Sequence, residues 1–294
     1  MSTRHLMIAA MALLLMFGAA SAQAQAEEPA AATARCSDCH DQAKAFLSNP
    51  HARGQVVKND VENSVCETCH GDATEHMQTG DKEKISVPRG RKGSDETCAM
   101  CHDLTSNKRS HRMGFHANSD AVSCLSCHSV HKSKEEPLLA KSGTALCASC
   151  HTQAASFRNR PYTHRMGGGG MTCTTCHEPH GRPGKDNLKA TSSGESVCLG
   201  CHNDKRGPFV FSHGGQEAGG CTTCHEPHGS SNPRQLKRAA VSQLCLECHS
   251  PIASTHTLGS QPPSFHNLTQ ARYQNCTTCH TAIHGSHRSP QLLK

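Results

Sequence analysis

The sequence predicts an elongated array of short helices and loops with little or no β-sheet, and three observations predict it. Cys-x-x-Cys-His recurs ten times and uses all 20 cysteines. Large apolar residues are scarce, with no Trp, two Tyr and seven Phe in 294 residues. Gly and Pro, 24 and 14 of them, interrupt the chain so often that no long amphipathic period survives between motifs. The first observation has to supply the core that the other two deny.

The motifs begin at Cys36, Cys66, Cys98, Cys124, Cys147, Cys173, Cys198, Cys221, Cys245 and Cys276. Their second cysteines are Cys39, Cys69, Cys101, Cys127, Cys150, Cys176, Cys201, Cys224, Cys248 and Cys279. A histidine follows each at once: His40, His70, His102, His128, His151, His177, His202, His225, His249 and His280. This is the signature of covalent c-type haem attachment. Two thiols three residues apart can meet the two vinyl groups on one side of the porphyrin, while the next imidazole turns under the iron as proximal ligand. Zinc ribbons also use paired cysteines, but zinc has no need of an invariant following histidine. A disulfide framework fails because Cys-x-x-Cys bridges are strained and reactive.

The expected fold class is therefore a multihaem cytochrome c holding ten covalent haems c. Residues 27–294 leave about 27 residues for each haem, too few for an ordinary core. The haems are expected to be the core, and the haem-free chain to be disordered, because binding and folding become one event.

Residues 1–26 read as a cleaved secretory signal. Arg4 precedes an apolar stretch over 6–20, then Ala22-Gln23-Ala24-Gln25-Ala26 runs into Glu27 and Glu28. The stretch is too short for a membrane span. The rest is expected to be one exported domain, residues 27–294, built from five haem doublets. It carries 29 basic and 24 acidic residues, a charge of +5. About −1 from each ferric haem with ionised propionates turns that negative and excludes a nucleic-acid partner. The basic run at 82–92 reads as a solvated linker or a partner of propionates.

Motif starts are separated by 23 to 32 residues, and CTTCHEPHG occurs twice, at 173–181 and 221–229. Internal duplication built the chain. Grouped in twos, at 36/66, 98/124, 147/173, 198/221 and 245/276, the motifs give five doublets. Each doublet has one histidine between its motifs, namely His51, His116, His164, His213 and His266. Each has another after the second motif, namely His76, His131, His180, His228 and His284. These are the candidate distal ligands, making 20 imidazoles for ten irons. His116 is favoured over His111, and His266 over His256, by their spacing from the next motif. His287 reads as a terminal surface residue. The mature chain has too few methionines to serve ten irons, so low-potential bis-histidine haems are expected.

Ten such motifs after a signal, the CTTCHEPHG repeats and the tail FHNLTQARYQNCTTCHTAIHGSHRSPQLL at 265–293 resemble the MtrA/DmsE family of periplasmic decahaem cytochromes c. The resemblance covers essentially the whole mature chain. It implies a cytochrome seated in an outer-membrane β-barrel porin, exchanging electrons with periplasmic donor or acceptor cytochromes and an outer-surface cytochrome or reductase. It implies extracellular electron transfer, as in metal or DMSO respiration or Fe(II) oxidation, at the periplasmic side of the outer membrane. Two other classes compete. A multihaem reductase needs an iron with an open face, whereas here every iron has a second histidine available, so no catalytic residue is assigned. A freely diffusing periplasmic shuttle is chemically equivalent and differs only in its partner.

Overall fold

The computed structural model describes residues 34–53, 61–102, 116, 119–166, 170–181, 185–249 and 270–293. The signal, the glycines 167–169, and His111, His256 and His266 lie outside the described residues.

The elements are short because each attachment motif closes a single helical turn. At nine motifs the histidine N–H donates to the carbonyl of the first cysteine at 2.8–3.0 Å. The tenth motif ends a longer helix, Val61–His70. Residues i, i+3 and i+4 of such a turn share one face, so both sulfurs and the imidazole point the same way. The residue before the second cysteine often closes the turn from its start. Ser126 accepts from the Ser123 N–H and Thr175 from the Thr172 N–H, both at 3.0 Å, and Asp38 accepts from the Arg35 N–H at 2.8 Å.

Among the described residues no strand forms, only isolated bridges. Three of these are copies of one device, His128 with Leu139, His177 with Leu188 and His225 with Leu236. After the motif the chain turns back and pairs with its own histidine. Two further bridges, Tyr162 with Ser230 and Phe211 with Ser286, join the segment after a trailing histidine to the segment before an interior histidine of the preceding doublet.

The buried apolar residues among those described are Ala43, Phe46, Val65, Ala73 and Leu292. A continuous cavity of about 5270 Å³ takes the place of a core, lined by residues from Cys36 to His284. It passes nine of the ten motif histidines. Its share is about 590 Å³ per motif, within the ~300–1,000 Å³ typical of a pocket for one small organic ligand.

The basic run at 82–92 is more ordered than a linker. Lys82–Lys84 is a 3₁₀ turn capped by Asp81, and Gly90–Ala99 is a helix in which Ser94 is fully buried. Lys84 pairs with Glu75 at 2.8 Å and Arg91 donates to the Ser119 carbonyl at 2.6 Å. Lys84 and Arg91 thus have local partners, while Lys82, Arg89 and Lys92 are exposed, as a solvated segment requires.

Glycine after the trailing histidine is required by space. Gly229 (φ +134) and Gly285 (φ +135) occupy backbone conformations that L side chains rarely adopt. A Cβ at Gly229 would overlap the Phe157 carbonyl oxygen, and one at Gly285 the Phe209 ring. Gly229→Ala and Gly285→Ala are each expected to cost roughly 2–3 kcal/mol. Gly80→Ala, where φ is +72 but no atom lies within 4 Å, should cost only about 1 kcal/mol. Thermal unfolding of the three holoproteins checks the order.

Candidate functional site

The motif turns place the first cysteines of neighbouring motifs against one another. The thiols interact in five pairs, Cys36 with Cys66, Cys98 with Cys124, Cys147 with Cys173, Cys198 with Cys221, and Cys245 with Cys276. Burial, followed by the neighbouring thiol, pushes Cys66 up to about 12, Cys147 to about 11 and Cys245 to about 12. Second cysteines meet across the other intervals, with Cys69 near Cys98 and Cys101, Cys127 near Cys150, and Cys224 near Cys248. No two cysteines are joined by a disulfide. Among the described residues no group of three or more His, Cys, Asp or Glu is arranged to enclose a bare metal ion.

The histidines meet in pairs. His40 faces His76 at 6.1 Å between ring centres, His70 faces His131 at 5.9 Å, and His102 faces His51 at 5.9 Å. His128 faces His180 at 6.1 Å, His151 faces His116 at 5.9 Å, and His177 faces His228 at 6.0 Å. His202 faces His164 at 6.3 Å, His249 faces His213 at 6.3 Å, and His225 faces His284 at 6.4 Å. Every pair joins a motif histidine to one of the interior or trailing histidines. A metal–imidazole bond of about 2.0 Å on each side, plus about 1.2 Å from each nitrogen to its ring centre, spans ~6.4 Å. The gap has room for one iron between the two rings, and the two cysteines of the motif would hold the porphyrin.

The pairs follow a rule. The trailing histidines His131, His180, His228 and His284 each face the second motif of the preceding doublet. The interior histidines His51, His116, His164 and His213 each face the first motif of the following doublet. Adjacent doublets thus exchange one imidazole in each direction. At the start of the array His76 turns back to His40 of its own doublet. His266, the interior histidine of the last doublet, lies outside the described residues.

In eight of the nine pairs, one ring is anchored through Nδ1 by a carbonyl oxygen. On the motif side, His70 donates to Ser86 at 2.8 Å, His128 to Pro137 at 3.1 Å, His177 to Asp186 at 2.8 Å and His225 to Arg234 at 2.9 Å. On the other side, His76 donates to Asp81 at 2.9 Å, His51 to the Asn49 side chain at 3.1 Å, His116 to Pro179 at 3.2 Å and His164 to Pro227 at 3.1 Å. Anchoring Nδ1–H fixes the tautomer, leaves the Nε2 lone pair for the metal and makes the imidazole more basic. His249 and His213 are the exception. Beside His213, the buried side-chain oxygen of Gln216 has no hydrogen-bond partner.

Sequence reading missed these anchors. Motif-histidine acceptors at Pro137, Asp186, Arg234 and, for His280, Gln291 are each followed by a non-glycine residue with positive φ: Leu138 (60), Asn187 (51), Gln235 (56) and Leu292 (57). Left-handed backbone at such residues costs about 1–2 kcal/mol, and here it turns the carbonyl onto the imidazole. The recurrent leucines at 138, 188, 236 and 292 were the only signal of this turn in the sequence.

Charge is arranged for neutral imidazole. Burial first, then the facing histidine, holds His51 and His213 below the ordinary histidine range. His131 is lowered by burial, then by His70 and Lys132. His284 is lowered by burial, then by Lys205 and His225. Neutral imidazole is the form that binds metal.

Comparison with known proteins agrees with this geometry. A family model described as a doubled CXXCH motif matches residues 116–156, 164–207 and 213–254. Each matched unit starts at an interior histidine and ends beyond the motif histidine that it faces. The chain is also 33% identical over 272 residues to the multihaem cytochrome MtrA of Shewanella baltica (strain OS185), covering 88% of this chain and 80% of that one. The chain belongs to the MtrA family of multihaem cytochromes. As an MtrA-family member it is an electron-transfer protein with covalently bound c-type haem, and not an enzyme. The family repeat is offset by one motif from the doublets defined by thiol contact. Within a matched unit neighbouring motifs share an exchanged imidazole, and between units they share a thiol contact.

Proposed function

We propose that the chain holds ten haems, each iron closed on both faces by imidazole, and that it conducts electrons between the periplasm and the outer membrane or cell surface inside a β-barrel porin. The observation that carries this reading is the set of nine imidazole pairs, each with room for one iron, in unbroken succession along one cavity. Bound haem supplies one-electron chemistry at iron, with its potential set by ligation, burial and nearby charge. The chain's contribution is to close every described iron position, so that no substrate has a coordination place to enter. It also ties each motif to its neighbours, by the closeness of their first cysteines on one side and by imidazole exchange on the other. Residues 27–294 then act as one domain of five doublets.

Placement in a barrel rests on the family resemblance and on physical fit. No helix among the described residues is long and apolar enough to cross a membrane. A barrel satisfies its own backbone in lipid and leaves a lumen for such an array. A periplasmic cytochrome would feed or drain one end, and an outer-surface cytochrome or reductase the other.

Liposomes loaded with a reductant and carrying both the barrel and this cytochrome test the proposal. Oxidation of the internal reductant by an impermeant external acceptor is expected only with both proteins present. If the pair gives no rate above the barrel alone, while the free cytochrome accepts and passes on electrons in solution, the molecule is a diffusing shuttle instead.

A further inference from the structure

Four loops in this chain are structural equivalents. After the motif histidines His128, His177, His225 and His280, the residue two before the trailing histidine is Ser129, Glu178, Glu226 and Ala282 respectively. Each donates its N–H to the carbonyl of the left-handed residue across the turn: Leu138, Asn187 and Gln235 at 2.8 Å, and Leu292 at 3.0 Å. The backbone is held alike in all four. Only two of the four side chains carry a charge.

Those two carboxylates stand beside trailing imidazoles. Glu178 Oε1 lies 3.5 Å from His180 Nδ1 and Glu226 Oε1 lies 3.7 Å from His228 Nδ1. At these separations the contact is chiefly electrostatic rather than a close hydrogen bond. At the two uncharged loops the neighbouring charge is mainly cationic. Lys132 acts on His131, and Lys205, opposed by Asp204, acts on His284.

We propose that Glu178 and Glu226 act through His180 and His228 to hold two interior haems, those between His128 and His180 and between His177 and His228, at lower reduction potential than their equivalents at His70/His131 and His225/His284. This rests on the proposed imidazole ligation. A ferric site carries one more positive charge than a ferrous one, so a fixed carboxylate beside an axial ligand stabilises the oxidised state. It also draws the Nδ1 proton outward and strengthens the imidazole as a donor. A cation has the opposite effect. The array would therefore be hardest to reduce at two interior positions and would hold its first electrons towards the flanking ones.

The bland alternative is that each carboxylate braces its own loop, as where the His228 N–H approaches Glu226 Oε1 at 3.4 Å. Glutamine keeps an oxygen there and removes the charge. In holoprotein carrying Glu178→Gln and Glu226→Gln, redox titration should show two haems moved to higher potential. The expected change is about tenfold in the ferric-to-ferrous ratio at fixed solution potential, which is ~59 mV for one electron. The low-spin spectrum should be unchanged. Ser129→Glu should move one further haem the other way, and it does not disturb either native carboxylate. Titration curves that superimpose on the parent overturn the proposal, and so does loss of low-spin signal in the glutamine variants, which would make the role structural. Failure of the underlying ligation reading is recognised separately, because His180→Ala would then leave every haem low-spin.

Discussion

Chain produced in cells that lack haem-attachment machinery is expected to be unfolded and rapidly degraded. The buried apolar residues among those described are Ala43, Phe46, Val65, Ala73 and Leu292, three of them in the first two motifs' neighbourhood before residue 66. Ordering a backbone costs about 1–2 kcal/mol per residue, and five side chains cannot offset that over a chain of this length. The 5270 Å³ cavity is where a core would be, and its walls are cysteines, imidazoles and scattered apolar side chains from short turns. Thioether attachment would bring the missing apolar surface and close a small loop within each motif. The proposed iron ligation would then tie residues far apart in sequence, as from His70 to His131 and from His225 to His284. Far-ultraviolet circular dichroism of the haem-free chain should show little helix, and limited proteolysis should find no resistant fragment. A compact, protease-resistant apoprotein would falsify the view that cofactor and core are the same thing.

Much of the site is legible in the sequence because haem attachment is written in adjacent residues. Cys124, Cys127 and His128 need only one helical turn to share a face, so spacing and chemistry coincide. The short helices and the lack of strands among the described residues follow from the same motif density. Recurrence at matching offsets is enough to single out His180 and His228 as candidates. It cannot say that His180 turns to His128 and not to His177, because that choice depends on how one doublet docks on the next. The docking is made by backbone groups with no sequence signature, such as the paired N–H and carbonyl groups of Tyr162 and Ser230 at 3.1 and 2.8 Å. The carbonyl anchors are hidden for a similar reason. Asp186, Arg234 and Pro137 have nothing in common as side chains, and only their backbone position makes each an acceptor for a motif histidine. The proline of His-Glu-Pro-His shows both sides of this. Its fixed φ suggests that it aims His228, yet Pro227 also accepts from His164, which belongs to a different pair.

Replacing a trailing histidine should turn the conducting array into one with a reactive site. In His228→Ala the iron proposed to sit against His177 loses its second imidazole, since the ring that faces it at 6.0 Å is removed. No neighbouring described histidine is free to substitute, because His164 and His225 are already engaged with His202 and His284. One haem's worth of high-spin absorbance should appear in the oxidised protein, and the reduced protein should bind carbon monoxide at that haem alone. The loop itself should stay docked. Thr163 and Arg160 hold it through the carbonyls of His228 and Gly229 at 3.3 and 3.0 Å, and both contacts are to backbone. The loss should therefore register in coordination far more than in folding. His287→Ala is the matched comparison, because His287 is exposed and its ring contact is with Phe209, ring centres 5.4 Å apart. It should leave the spectrum unchanged and bind no carbon monoxide. Carbon monoxide binding by the unmodified protein would show an iron already open on one face, and with it a place for substrate chemistry that two closed faces forbid.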